Sequence, residues 1–94
     1  MLVGVLVSYD LKEGQSEAFF KYMKELVDCT HQEEGCIAYD LYKDRDGSGV
    51  FMLEVWKSQE ALDAHIVSDH CKRLVPGSRD FLNTDPVIQF FDML

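Results

Sequence analysis

Glu54, His65 and Trp56 are the residues of this chain whose types and spacing point most directly to chemistry. Glu54 alternates into a strand row that is otherwise Val50, Met52 and Trp56, so the row carries one acid among apolar side chains. Burying a carboxylate costs several kcal/mol unless it is paired or protonated. Such surroundings raise its pKa, which suits a general acid or base. The same position would also suit a structural acid paired with a lysine, an arginine or a backbone N–H. His65 falls on the apolar side of the helix that follows and is the only side chain there that titrates near neutrality. It is either a base or a satisfied core histidine, and a Glu54 partner would fix its tautomer.

Tyr39, Trp56 and Met52 are candidate pocket walls, and His70 is a further candidate contact for a substrate. On a continuous helix His65 and His70 would point about 140° apart. A break at Ser68 loosens that limit. His31 ends the first helix, where a protonated imidazole complements the helix dipole. A metal reading would use His65, His70 and Cys71 with Glu54, but no established ligand spacing supports it. No Gly-rich phosphate loop, nucleophile elbow, Ser-His-Asp order or cofactor motif is present.

The elements that must position these residues follow from periodicity. Leu2 to Asp10 is β-branched and nearly continuous in apolar residues, which predicts a central strand. The polar turn Lys12-Glu13-Gly14 closes it. A helix is predicted from about Gln15 to Thr30, with Phe19, Tyr22, Met23, Leu26 and Val27 on one stripe and Glu17 in the first turn. Gly35 is expected to supply a left-handed stop. Cys36 to Lys43 alternates, with Ile37, Tyr39 and Leu41 on one face. Asp44 to Gly49 reads as a turn, and Val50 to Lys57 returns as a strand covered on both sides. Ser58 and Ser68 are helix caps, Pro76-Gly77 is the expected end of the second helical segment, Phe81-Leu82 pack near the bend, and a last strand runs from Val87 to about Met93.

The order β-α-β-β-α-β is the ferredoxin-like α+β arrangement, an antiparallel sheet with helices on one face. Ninety-four residues make one domain, 1–94. Strands this apolar need cover on the other face, and a homodimer is the simplest cover. Seventeen acidic against nine basic side chains give a formal charge of −8, which excludes a phosphate-neutralising nucleic-acid surface. Cys29, Cys36 and Cys71 are odd in number and form no CxxC pair, so a reduced, cytoplasmic setting is expected. The apolar run Leu2–Val7 has no basic residues before it and is too short for a signal or a membrane span.

Glu33-Glu34-Gly35-Cys36, Tyr39, the hairpin, Phe51, Glu54-Val55-Trp56-Lys57-Ser58, Glu60-Ala61-Leu62, Ala64-His65 and Ser68-Asp69-His70 resemble the antibiotic biosynthesis monooxygenase family, in particular its small quinol monooxygenases. The resemblance spans residues 2 to 94 in topology and is concentrated in 33 to 70. It implies a ferredoxin-like dimeric α/β barrel with a pocket between sheet and helices in each protomer. It further implies oxidation of a quinol or aromatic phenol by O₂ with no cofactor, neither flavin nor metal. His65 would be the base or would stabilise the substrate anion, Glu54 would orient it or share its proton, and Tyr39 and Trp56 would form part of the wall. The haem-degrading branch uses an Asn, a Trp and a His; the matching positions here are Val7, His65 and Val75, so haem degradation is not implied. A sister branch that isomerises a phosphorylated autoinducer-2-type sugar shares the EEG start, the strand glutamate and the two histidines. For that chemistry Arg45, Arg73, Arg79 and nearby lysines would have to hold phosphate. A small-molecule-binding module without catalysis is the third reading, because a fold does not fix a function.

Overall fold

The computed structural model describes residues 1–47 and 49–94. The chain forms β1 (Leu2–Tyr9), α1 (Ser16–His31), β2 (Cys36–Lys43), β3 (Val50–Trp56), α2 (Gln59–Ile66), α3 (Asp69–Ser78), a 3-10 turn (Arg79–Phe81) and β4 (Val87–Met93). The four strands make one antiparallel sheet in the order β2-β3-β1-β4. This is the expected ferredoxin-like α+β fold. No helix among the described residues is long and apolar enough to cross a membrane.

Alternation decides which side of the sheet the helices cover. Val3, Val5 and Val7 of β1 and Val50, Met52, Glu54 and Trp56 of β3 are buried on the helix-bearing face. They pack with Phe19, Met23 and Leu26, which recur along one stripe of α1. On the opposite face Phe51, Leu53 and Val55 are only half-buried, so a single chain covers β3 on one side rather than both. The Phe91 ring of β4 lies over Gly4 of β1, where any β-carbon would collide with it.

Local sequence accounts for the helix boundaries near the site. The Ser58 side chain accepts a hydrogen bond from the Ala61 N–H, and Ser68 accepts from the Cys71 N–H, so the second helical segment breaks into two capped pieces as the sequence predicts. The turn from Asp44 to Gly49 closes with the Asp44 N–H donating to the Gly49 carbonyl at 2.8 Å; Ser48 of that turn lies outside the described residues.

Three further expectations need correction. Among the described residues only Gly14 and Gly47 have positive φ, so Gly35 is not a left-handed stop. Its missing side chain instead lets α2 approach, because a β-carbon there would collide with that of Ala61. Pro76 and Gly77 lie inside α3, which runs on to Ser78. Gly77 leaves room for the Tyr22 hydroxyl, which donates to the Leu74 carbonyl at 2.7 Å. The pairing of β2 with β3 slips by one residue between Cys36 and Ala38, so Ile37 leaves the row and is half exposed. Cys36, not Ile37, then shares a face with Tyr39 and Leu41, opposite Trp56, Glu54 and Met52. His31 does more than meet a dipole: its Nε2 lies 2.9 Å from the Tyr39 carbonyl oxygen and 3.1 Å from Asp40, tying the end of α1 to β2.

Candidate active site

The break between α2 and α3 places His65 at the end of one helix and Cys71 in the first turn of the next, both buried against the sheet. Beneath them β3 supplies Glu54 and Trp56, two residues apart and therefore on one face. The Trp56 indole N–H donates to Glu54 Oε1 at 3.0 Å, and the ring lies 4.6 Å from the His65 imidazole, centroid to centroid. Tyr39, directly across from Glu54 on β2, closes the other side with its ring 5.1 Å from that of His65.

The partner that holds His65 is Glu33, from the loop between α1 and β2. Glu33 Oε2 lies 2.6 Å from His65 Nδ1 and 2.7 Å from His70 Nε2, so one carboxylate oxygen takes a hydrogen bond from each imidazole. A carboxylate acceptor fixes the proton on Nδ1 of His65 and leaves Nε2 as the basic nitrogen. That Nε2 lies 3.2 Å from the Cys71 sulfur. The expectation that Glu54 orients His65 is therefore corrected. No hydrogen bond joins those two residues; Glu54 is engaged by Trp56 in its own strand.

Tyr39, Glu54, His65 and Cys71 line a cavity of about 410 Å³ whose walls are mainly apolar, from Val5, Val7, Met23, Leu26 and Leu62. Tyr9, Tyr39, Glu54, His65 and Cys71 face it, Lys72 and Arg79 line it too, and Ile88 and Phe90 of the edge strand β4 border it. Of the residues singled out from sequence, His65, Glu54 and Tyr39 line the cavity. Met52 and Trp56 do not: both are fully buried beneath it, so they support the wall without forming it. His70 lies outside the lining and is hydrogen-bonded to Glu33. Glu33 and Tyr9 were not singled out for any role, and Cys71 only in the metal reading and as an unpaired thiol. Only the Glu33-Glu34-Gly35 start of the resemblance marks the first of them.

Burial sets the protonation states. It pushes the Glu54 carboxyl up to about 7, with the Glu33 charge adding to the rise and the Trp56 N–H opposing it. Burial also pushes His65 below its ordinary value, against the pull of Glu33, so its imidazole is neutral at pH 7. Burial and the nearby Glu54 push the hydroxyls of Tyr9 and Tyr39 far above the usual phenol range, and both remain protonated. The Cys71 thiol is raised as well, chiefly by burial. The resting site is thus a neutral imidazole poised between a carboxylate and a thiol, with a second acid near its midpoint.

Nitrogen and sulfur atoms of His65, His70 and Cys71 lie within 4.8 Å of one another, a cluster of metal-binding composition that does not include Glu54. Hydrogen bonds with Glu33 and between His65 and Cys71 already engage those groups.

Comparison with known proteins places this architecture in a family. The profile of the family described as antibiotic biosynthesis monooxygenase matches residues 2–77, and the chain belongs to that family. A conserved protein of Methanosarcina mazei Go1 is similar in structure, with a TM-score of 0.92 and 32% identity over 97% of this chain and 91% of that one. YcnE of Bacillus subtilis, which carries a provisional monooxygenase name, is 31% identical over 84% of this chain and 85% of its own length. An uncharacterised protein of Synechocystis is 28% identical over 86% of this chain, which spans 56% of that relative's length.

Proposed function

We propose that the protein is a monooxygenase that oxidises a quinol or aromatic phenol with O₂, using the substrate's own electrons and needing no cofactor. The observation that carries this reading is a neutral imidazole, its tautomer set by Glu33, facing a mainly apolar cavity beside a carboxyl group that titrates near 7. A phenolate is a far better electron donor to O₂ than its phenol, so the protein's task is to remove the proton, exclude water and hold the anion. His65 takes a phenolic proton at Nε2, and the imidazolium so formed is stabilised by Glu33. Glu54, ionised in part at neutral pH, takes the second proton of a hydroquinone. The cavity volume lies within the range of small-molecule sites and suits a fused aromatic ring system. Membership of the family and the provisional name of YcnE support the same reaction class.

The half-buried row Phe51, Leu53 and Val55, continued by exposed Val87 and Met93 on β4, supports a homodimer through the helix-free face.

Lys72 and Arg79 on the cavity lining favour a second reading, an isomerase of a phosphorylated sugar, in which they would hold the phosphate. Arg79 is engaged by Asp85 at 2.8 Å, and Arg73 by Glu25 at 2.7 Å, which leaves Lys72 as the main anion contact. One experiment separates the two. O₂ consumption is measured for the metal-free protein with reduced naphthoquinols and polycyclic phenols, against spontaneous autoxidation and a His65→Ala variant. Enzyme-dependent uptake that the variant loses supports the oxygenase. No acceleration across the panel overturns it and turns the question to phosphorylated sugars.

A further inference from the structure

We propose that Cys71 is a nucleophile that adds covalently to quinone-type conjugated carbonyl compounds in the cavity, with His65 as its base and Glu33 as the positioning residue. Three side chains from three separate segments form the chain that nucleophilic catalysis requires. The Cys71 sulfur lies 3.2 Å from His65 Nε2, and His65 Nδ1 lies 2.6 Å from Glu33 Oε2. Both Cys71 and His65 line the cavity, so the thiol meets whatever occupies it. The oxygenase mechanism uses His65 and leaves Cys71 without a task. The walls favour flat apolar molecules, which narrows the electrophile to an aromatic quinone rather than a charged acyl donor.

The step is balanced within the pair of reactants. The thiol proton passes to His65 Nε2 as sulfur forms a bond to a ring carbon, and the displaced electron pair moves through the ring to a carbonyl oxygen. The imidazolium returns the proton to that oxygen, directly or through water. Migration of the ring C–H proton to the second oxygen then gives a hydroquinone thioether. The quinone is reduced at the expense of the new carbon–sulfur bond, so no outside oxidant or reductant is needed.

The inference rests on the reading of the cavity as a site for quinol-like molecules, extended to the oxidised form of the same class. Its test is run without O₂, so that it stands apart from oxygenation. The full chain is mixed with less than one equivalent of 1,4-naphthoquinone, quenched with acid, and analysed by intact mass and peptide mapping, which separates Cys71 from the part-exposed Cys29 and Cys36. The expected result is one adduct on Cys71, formed at least about tenfold faster than on the same cysteine in the urea-unfolded chain and absent in Cys71→Ser. In Glu33→Gln the new amide donates to Nδ1 and moves the imidazole proton to Nε2, removing the acceptor that faces the thiol. The rate then falls and climbs about tenfold per pH unit, as for an unassisted thiol, while the native chain varies little between about pH 6 and 8. Addition only at Cys29 or Cys36, a Cys71 rate no greater than in the unfolded chain, or an unchanged pH profile in Glu33→Gln overturns the proposal. Quinol-dependent O₂ uptake with no Cys71 adduct removes this inference alone; an adduct with no O₂ uptake removes the oxygenase reading alone.

Discussion

The Glu33 carboxylate meets the Nδ1 of His65 at 2.6 Å across thirty-two residues of sequence, and it meets the ring of His70 with the same oxygen. Two imidazoles thus share one acceptor, and the position of a single loop residue sets the tautomer of the base. Glu33→Gln is expected to lower O₂-dependent turnover of a quinol by roughly tenfold to a hundredfold, since hydrogen bonds to charged groups contribute about 1.5–3 kcal/mol. KM should change little. Stopped-flow or electrode measurements of kcat and KM for this variant and His65→Ala check it. An unchanged kcat would remove Glu33 from the mechanism.

Glu54 ties activity to pH and stability to pH in opposite directions. Its folded pKa, near 7, lies above the ordinary carboxyl value, so between about pH 4.5 and 7 the folded state binds more protons than the unfolded one. Stability contributed by this group is therefore full below the unfolded pKa and is lost as pH rises through the folded pKa. The shift corresponds to a loss on the order of 3 kcal/mol at pH 8. Gln at this position still accepts from the Trp56 N–H, so Glu54→Gln should be more stable than the native chain at pH 8 and nearly equal to it at pH 4.5. Urea unfolding at fixed protein concentration across that range decides the point. If Glu54 is a working base, the same substitution lowers turnover at least tenfold at pH 8.

Trp56→Phe keeps the ring and removes the N–H that holds the Glu54 pKa down. The acid limb of the kcat/KM profile should move to higher pH in this variant. A limb that stays in place would mean that Glu54 does not govern the profile.

Gly35→Ala inserts a β-carbon where Ala61 already stands, at the root of the helix that carries His65. Overpacking of this kind costs about 1–3 kcal/mol. A drop in Tm together with a weaker kcat is expected, and a fully active variant of native stability would show that α2 has room to move.

If the helix-free face joins two copies, Leu53→Asp should convert a dimer to a monomer in sedimentation velocity. A chain that is monomeric without the substitution would rule out the proposed cover for that face.

The strands, both serine caps and the burial of Glu54 and His65 were legible because each rests on local periodicity or on a capping residue within three positions. What was not legible came from long-range geometry. Pattern alone offered His65 one acid, Glu54, because it sits in an apolar row. The structure shows that Trp56, one alternation away, claims Glu54 first. Glu33 looked like an ordinary acidic residue after a helix, and only the fold brings it over two imidazoles. Cys71 was hidden for a similar reason. Counted as an odd thiol, it said something about redox setting; placed in the first turn of α3, it becomes the neighbour of His65 Nε2. Trp56 and Met52 were legible as apolar and inward, but periodicity cannot distinguish a cavity wall from the layer behind it.

The slipped residue at Ile37 is an insertion that the pairing on either side of it does not depend on. Removing Ile37 would restore simple alternation between Cys36 and Tyr39 and leave both opposite their present partners, Trp56 and Glu54. Glu33 would then keep its reach to both rings. Residue 37 is thus the place in β2 where the chain can shorten without turning a row of side chains to the wrong face, and descendants of this chain can lose the bulge and keep the site.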